Sequence, residues 1–271
     1  MATDVPAHGA LPCAPTERPS EVLAGLEAMV AAVGPLGLTF IVIAAVLGGV
    51  AQSTVGFGGA FATVPALALT APELLPGAML VAILPLAVTM AIVGRAQLDR
   101  RSATRLMLGR LPGIAIGTVI VLVVDVRWLT AIVAVVLLGA VAAAAGGWHL
   151  EVTPRRELVA GMVSGVTGAA TALGGPPLAL LYRERDPAVV RPTLGVVWAV
   201  GIVLTLLGLA AVGSFTGVQA LAGILLSALL LVGLLLSRPL LRLLAPAQVR
   251  VVILWWAGLG GVAALGRVLA G

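Results

Sequence analysis

Gln52, Ser53 and Thr54 are followed by Gly56, Gly58 and Gly59, and then by Thr63 and Pro65. Each glycine weakens a helix by roughly 1 kcal/mol, and proline removes a backbone donor. This stretch therefore predicts a helix that unwinds near Gly56 and restarts before Pro65. A restarted helix presents unpaired N–H groups at the positive end of its dipole, and Ser or Thr hydroxyls add neutral donors, which together make a site for a small anion. A second stretch repeats the inventory with Ser164, Thr167, Thr171, Gly174, Gly175, Pro176 and Pro177. Two such ends converging could hold a small oxyanion without a full-charge partner. The candidate substrate-binding residues are Gln52, Ser53, Thr54, Gly56, Gly58, Gly59, Ser164, Thr167, Thr171, Gly174, Gly175 and Pro177.

Residues 47–69 and 159–181 align at a constant offset of 112, which sets Gly49 over Gly161, Gly56 over Gly168 and Pro65 over Pro177. Taken singly, Gly161, Gly165 and Gly168 would read as helix-packing residues. Duplication in two halves of an apolar chain favours a binding role, because paired helix interruptions mark transporter sites.

The elements that must position these residues are membrane spans. The chain has 271 residues, of which 61% are hydrophobic and 10% charged, and a mean hydropathy of +1.17. Stretches near 35–56, 76–94, 104–124, 128–146, 190–212, 217–237 and 249–269 are about 20 residues long, enough to cross ~30 Å of hydrocarbon. Apolar pieces at 58–70, 157–168 and 172–182 are too brief to cross alone. The expected fold is an all-α integral membrane protein of two inverted-topology repeats. Each repeat holds a broken, re-entrant motif and about three full spans, for about eight spans in total. Residues 1–34 form a tail with a short amphipathic helix at 21–33. The first repeat covers 35–146, a cytoplasmic linker 147–156, and the second repeat 157–271.

Orientation comes from the arginines, since the chain contains no lysine. Arg95, Arg100, Arg101, Arg105 and Arg110 face a single acid, Asp99, in the stretch after the second span, which is placed inside. The connection at 125–127 is placed outside, 147–156 inside, 183–191 inside, 213–217 outside and 238–250 inside. Equivalent loops of the two halves thus face opposite sides, as inversion requires. A parallel repeat, with each motif crossing once, is the competing arrangement. Arg95, Arg105, Arg110 and Arg191 read first as topology determinants and only second as anion attractors.

Other classes fare worse. A net charge of +5 would suggest nucleic acid in a soluble domain, but positive-inside loops account for it here. Cys13 has no partner, so there is no disulfide or cysteine metal site. No Asp, Glu, Lys or His lies at the centre of a predicted span, with Glu73, Asp125 and Glu157 at ends, which argues against a proton pump. Trp128 and Trp148 flank one span as interface anchors. Trp198, in mid-span, reads as a packing residue ahead of a pathway lining. No nucleophile and base pair, phosphate loop or metal cluster appears, so neither an enzyme nor a cofactor is expected.

The Gly56, Gly58, Gly59, Pro65 segment, the Gly168, Gly174, Gly175, Pro176, Pro177, Leu178 segment and the Arg191, Thr193, Leu194 stretch together resemble the TauE/SafE family of sulfite exporters, over roughly residues 36–270. The resemblance implies a permease of the bacterial inner membrane moving sulfite, thiosulfate or an organosulfonate such as sulfoacetate. Partners would then be the lipid bilayer and a small anionic substrate, with homo-oligomerisation open. A channel-like pore for another small anion or neutral solute, and a non-transporting membrane scaffold, are the alternatives.

Overall fold

The structure, a computed structural model, describes residues 18–55, 58–146, 150–240 and 246–270. Among them are ten α-helices: α1 Pro19–Val55, α2 Gly58–Thr70, α3 Gly77–Ile92, α4 Arg100–Val123, α5 Val126–Ala145, α6 Pro154–Thr171, α7 Gly175–Leu181, α8 Pro187–Ala211, α9 Gly217–Leu240 and α10 Pro246–Ala270. Helices α1, α4, α5, α8 and α9 are long and apolar enough to cross a membrane, while α2, α3 and residues 254–270 are shorter apolar helices. Large apolar side chains such as Leu36, Val123, Leu235 and Leu259 lie exposed on the outer surface, as suits a protein solvated by lipid. The chain is a multi-pass membrane protein.

Local chemistry fixes several helix starts. Asp99 caps α4 by accepting from the Ser102 N–H at 3.0 Å, and Asp186 caps α8 through the Ala188 N–H at 2.9 Å. Thr153 caps α6 through the Arg156 N–H at 3.3 Å, and α6 and α8 both carry proline in the first turn, where its missing donor costs nothing. Thr216 and Gln219 form a reciprocal cap at the start of α9, with the Gln219 N–H donating to Thr216 Oγ1 at 3.2 Å. The first helix is broken at Gly34, whose φ of 68° lies in the left-handed region. Before that break, Val22, Gly25, Leu26, Met29 and Val33 are partly covered positions on one helical face.

Both motifs form hairpins. Gly37 approaches Thr70, Gly48 approaches the Gly59 carbonyl and Gly58 approaches Ala51, so α2 runs back along α1. Gly174 lies against Ser164, and at the open end the Tyr182 hydroxyl donates to Glu157 Oε1 at 2.7 Å, so α7 runs back along α6.

Packing between the halves is reciprocal. Helix α6 lies on α4 and α1 on α9, while α3 lies on α8 and α5 on α10. A Cβ on Gly113 would sit 2.2 Å from the Met162 carbonyl oxygen and one on Gly161 2.2 Å from that of Leu106. These close approaches make Gly109, Gly113, Gly161 and Gly165 packing residues. In the first half, Gly49 meets Leu230 and Gly233 as Gly165 meets Arg110 and Gly113. Gly49 therefore corresponds in space to Gly165, and Gly58–Gly59 to Gly174–Gly175, a few residues out of register with the sequence alignment. Helices α5 and α10 are antiparallel, with Arg127 beside Val268, Leu138 beside Gly261 and Val141 beside Gly258. Helices α3 and α8 are also antiparallel, with Ala91 beside Gly195 and Gly94 beside Pro192.

The stretch from Arg95 to Arg110 is not a loop. Only the segment before Arg100 is, and Arg100, Arg101, Arg105 and Arg110 all belong to α4. Hydropathy places the helix start too late because arginines dominate its first turns, whereas the Asp99 cap defines it.

Candidate functional site

The tips of the two hairpins meet at a cavity of about 50 Å³ lined by Gln52, Ala60 and Phe61 from the first, Gly168, Ala172, Leu173, Gly174 and Gly175 from the second, Leu80, Ile83 and Ala87 of α3, Arg110 of α4, and Trp198 and Ile202 of α8. The volume is several times the ~10–15 Å³ that admits one water and far below the ~300 Å³ at which drug-sized pockets begin. It suits a small ion.

Arg110 dominates the electrostatics. At 1.5 Å per residue it stands ~15 Å along α4 from Arg100, near the middle of a ~30 Å hydrocarbon layer. Its side chain is 2% exposed. Nη1 donates to the Ser164 hydroxyl at 2.5 Å, and that hydroxyl donates to the Gly174 carbonyl at 2.6 Å. Nε has no hydrogen-bond partner, and no carboxylate lies within ion-pair distance of Arg110 among the described residues. Three glycines make room for the guanidinium. A Cβ on Gly201 would fall 2.2 Å from Nε, one on Gly168 3.0 Å from Nη2, and one on Gly174 3.2 Å from Nη1. An uncompensated cation at this depth is costly, so such groups mark ion pathways and call for a negative partner.

The sequence-predicted residues divide. Gln52, Gly174 and Gly175 line the cavity, and Ser164 holds the guanidinium from behind. Gly58 and Gly59 open α2, buried at the tip, but the Gly59 N–H already donates to Gln52 Oε1 at 3.0 Å. The Thr167 hydroxyl donates to the Val163 carbonyl at 2.9 Å and stays on its own helix. Thr171 stabilises the break itself, donating to the Thr167 carbonyl at 2.7 Å and accepting from the Leu173 N–H at 3.3 Å. There Ala172 adopts a left-handed φ of 59°. Pro177 lies in α7, outside the cavity lining. Ser53 and Thr54 fall in the last turn of α1, their side chains outside the description, and Gly56 lies outside the described residues.

Sequence reasoning did not single out Gly201, read Arg110 as a topology determinant ahead of an anion attractor, and ranked Trp198, which is 8% exposed and lines the site, as a packing residue ahead of a pathway lining. The signal for Arg110 was present: it sits inside the Gly109, Gly113, Gly117 ladder, whose four-residue spacing denotes a tightly packed helix rather than a loop. Charge at the site comes from a side chain, and the seven-residue α7 is too short for much dipole.

Toward the α4 N-terminus a second polar cluster closes the second hairpin. Glu157, 1% exposed, accepts from the Tyr182 hydroxyl at 2.7 Å and from Arg105 Nη1 at 3.0 Å, and its Oε1 lies 2.5 Å from the Ser102 hydroxyl. The Asp99 N–H donates to Thr193 Oγ1 at 3.1 Å, which ties α8 to the same group. The Ser102 N–H holds the Asp99 carboxyl below the usual carboxylate range. Among the described residues no group of His, Cys, Asp and Glu could hold a metal ion.

The family model described as Sulfite exporter TauE/SafE matches residues 41–264. No curated protein and no solved structure matches the chain. The chain belongs to the TauE/SafE family and is a membrane transporter, not an enzyme.

Proposed function

We propose that this TauE/SafE transporter moves a small sulfur-containing anion, such as sulfite, thiosulfate or an organosulfonate, through the cavity between its hairpin tips. The observation that carries this reading is Arg110: a buried guanidinium with an unpartnered Nε, no carboxylate in ion-pair reach among the described residues and a cavity built from both hairpins. The site is the Arg110 guanidinium, with Ser164 orienting it and Gln52, Gly58, Gly59, Gly174 and Gly175 shaping the walls. Ser53, Thr54, Gly56, Thr167, Thr171 and Pro177 complete the two motifs as supports of the breaks. Liposome flux with labelled sulfite, thiosulfate and sulfoacetate tests it, with anion-dependent uptake by the native protein abolished in Arg110→Gln as the expected result. Absence of flux for all three anions would remove the substrate class.

The two halves, α1 from residue 35 to α5 and α6 to α10, are read as inverted repeats of the bacterial inner membrane. Antiparallel packing of the equivalent pairs α3–α8 and α5–α10 supports this, because equivalents related by an axis in the membrane plane point in opposite directions. The connections at 94–99, 150–153 and 182–186, which carry or adjoin Arg95, Arg100, Arg101, Arg155, Arg156, Arg183 and Arg185, join helix ends of one face, which is read as cytoplasmic.

A further inference from the structure

We infer that the cavity selects a singly charged sulfonyl anion, hydrogen sulfite or an organosulfonate R–SO₃⁻ with no second charge, over dianions such as sulfate, thiosulfate and sulfoacetate. The inference rests on the reading of this cavity as the transport site and narrows its substrate by charge state.

Among the described residues, the cavity contains one cation and no other charged group. Arg110 is the only ionisable residue of its lining, and the remaining walls are largely Phe61, Leu80, Ile83, Trp198 and Ile202. Residues 53–57, Ser-Thr-Val-Gly-Phe, which follow Gln52 along the chain, contain no ionisable side chain. Nor does the other half supply one. Leu230 takes the place of Arg110, resting its Cδ2 near Gly48 and Gly59 while its carbonyl meets Gly49, as the Arg110 carbonyl meets Gly165. The near-symmetric framework thus holds a single asymmetric charge.

In a low-dielectric site one guanidinium neutralises one negative charge. A second charge on the ligand would be buried without a partner, at a heavy desolvation penalty. The guanidinium also fits this group. Nη1 is engaged by Ser164 and Nε is buried against Gly201, while Nη2, beside Gly168, completes a planar charged fork suited to an –SO₃⁻ oxygen. The apolar walls would receive the remaining oxygen-poor face or a short organic tail without desolvating a charge.

Competition in proteoliposomes holding the native protein provides the test. Labelled sulfite uptake is measured against methanesulfonate, sulfate and thiosulfate at several pH values on both sides of the second ionisation of sulfurous acid. The expected result is that apparent sulfite affinity falls roughly tenfold per pH unit above that ionisation, following the hydrogen sulfite fraction. Methanesulfonate should compete equally at every pH, and the two dianions at least about tenfold less well. Dianions competing as well as methanesulfonate, or sulfite binding that tightens as pH rises, would overturn the inference while leaving transport itself intact. Uptake of none of the anions would instead defeat the reading beneath it. Arg110→Lys supplies a second measure: it keeps one charge but loses the fork, so it should bind all monoanions more weakly and retain the preference for them. Loss of that preference in Arg110→Lys with unchanged affinity would also refute it.

Discussion

Arg110 shows how one side chain can be placed by its neighbours rather than by its own preferences. Its guanidinium lies over glycines because no other residue leaves the space, and the closest approach is at Gly201, where a Cβ would fall 2.2 Å from Nε. Gly201→Ala should therefore displace the guanidinium without disturbing helix packing, since the obstructing atom belongs to a long side chain. The expected outcome is a KM for the anion raised about tenfold, equivalent to ~1.4 kcal/mol, with thermal stability in detergent nearly unchanged. A Gly201→Ala protein with native KM would show that Arg110 does not touch the ion. Ser164→Ala removes the hydroxyl that bridges Nη1 and the Gly174 carbonyl and should lower both affinity and stability, the latter by about 1.5–3 kcal/mol because the bond is to a charged group.

At the scale of elements, the contact between α4 and α6 tolerates far less. A Cβ on Gly113 would meet backbone, the Met162 carbonyl, at 2.2 Å, so Gly113→Leu must separate the helices. Its cost should exceed 1–3 kcal/mol, seen as a large drop in the unfolding temperature of the detergent-solubilised protein. The latch at the hairpin's open end is softer: Tyr182→Phe deletes one hydrogen bond to Glu157, worth about 1.5–3 kcal/mol, and should raise protease cleavage within 183–186. Asp99 adds a pH dependence with a definite sign. Its carboxyl is held below the usual range by the Ser102 N–H, so its cap contributes fully above that range and is lost as pH falls through its lowered value. Asp99→Asn should accordingly flatten the acid limb of the unfolding temperature against pH. Both hairpins were legible in sequence because glycine and proline report backbone breaks directly. The start of α4 was not, since hydropathy discounts arginines that the Asp99 cap and the Gly109, Gly113, Gly117 stripe draw into the helix. The burial of Glu157 was equally hidden, because its partners Ser102, Arg105 and Tyr182 are distant along the chain.

For the whole molecule, the proposed inverted arrangement makes a demand that a parallel repeat cannot meet. Equivalent connections, the one between α3 and α4 and the one between α8 and α9, must open on opposite sides of the membrane. Within the structure those connections lie at opposite ends of the antiparallel pair α3 and α8, since Gly94 sits beside Pro192 at the start of α8 while α9 begins only beyond its far end. Replacing Cys13 by Ser leaves no native thiol, so single cysteines can report each side. Ala96→Cys should be modified by a membrane-impermeant maleimide only after permeabilisation, as the positive-inside rule expects for an end carrying Arg95, Arg100 and Arg101. Ser214→Cys should react in intact cells. Labelling of both from the same side would exclude the inverted repeat, and with it the reading of two opposed hairpins as routes to Arg110 from opposite faces of the bilayer.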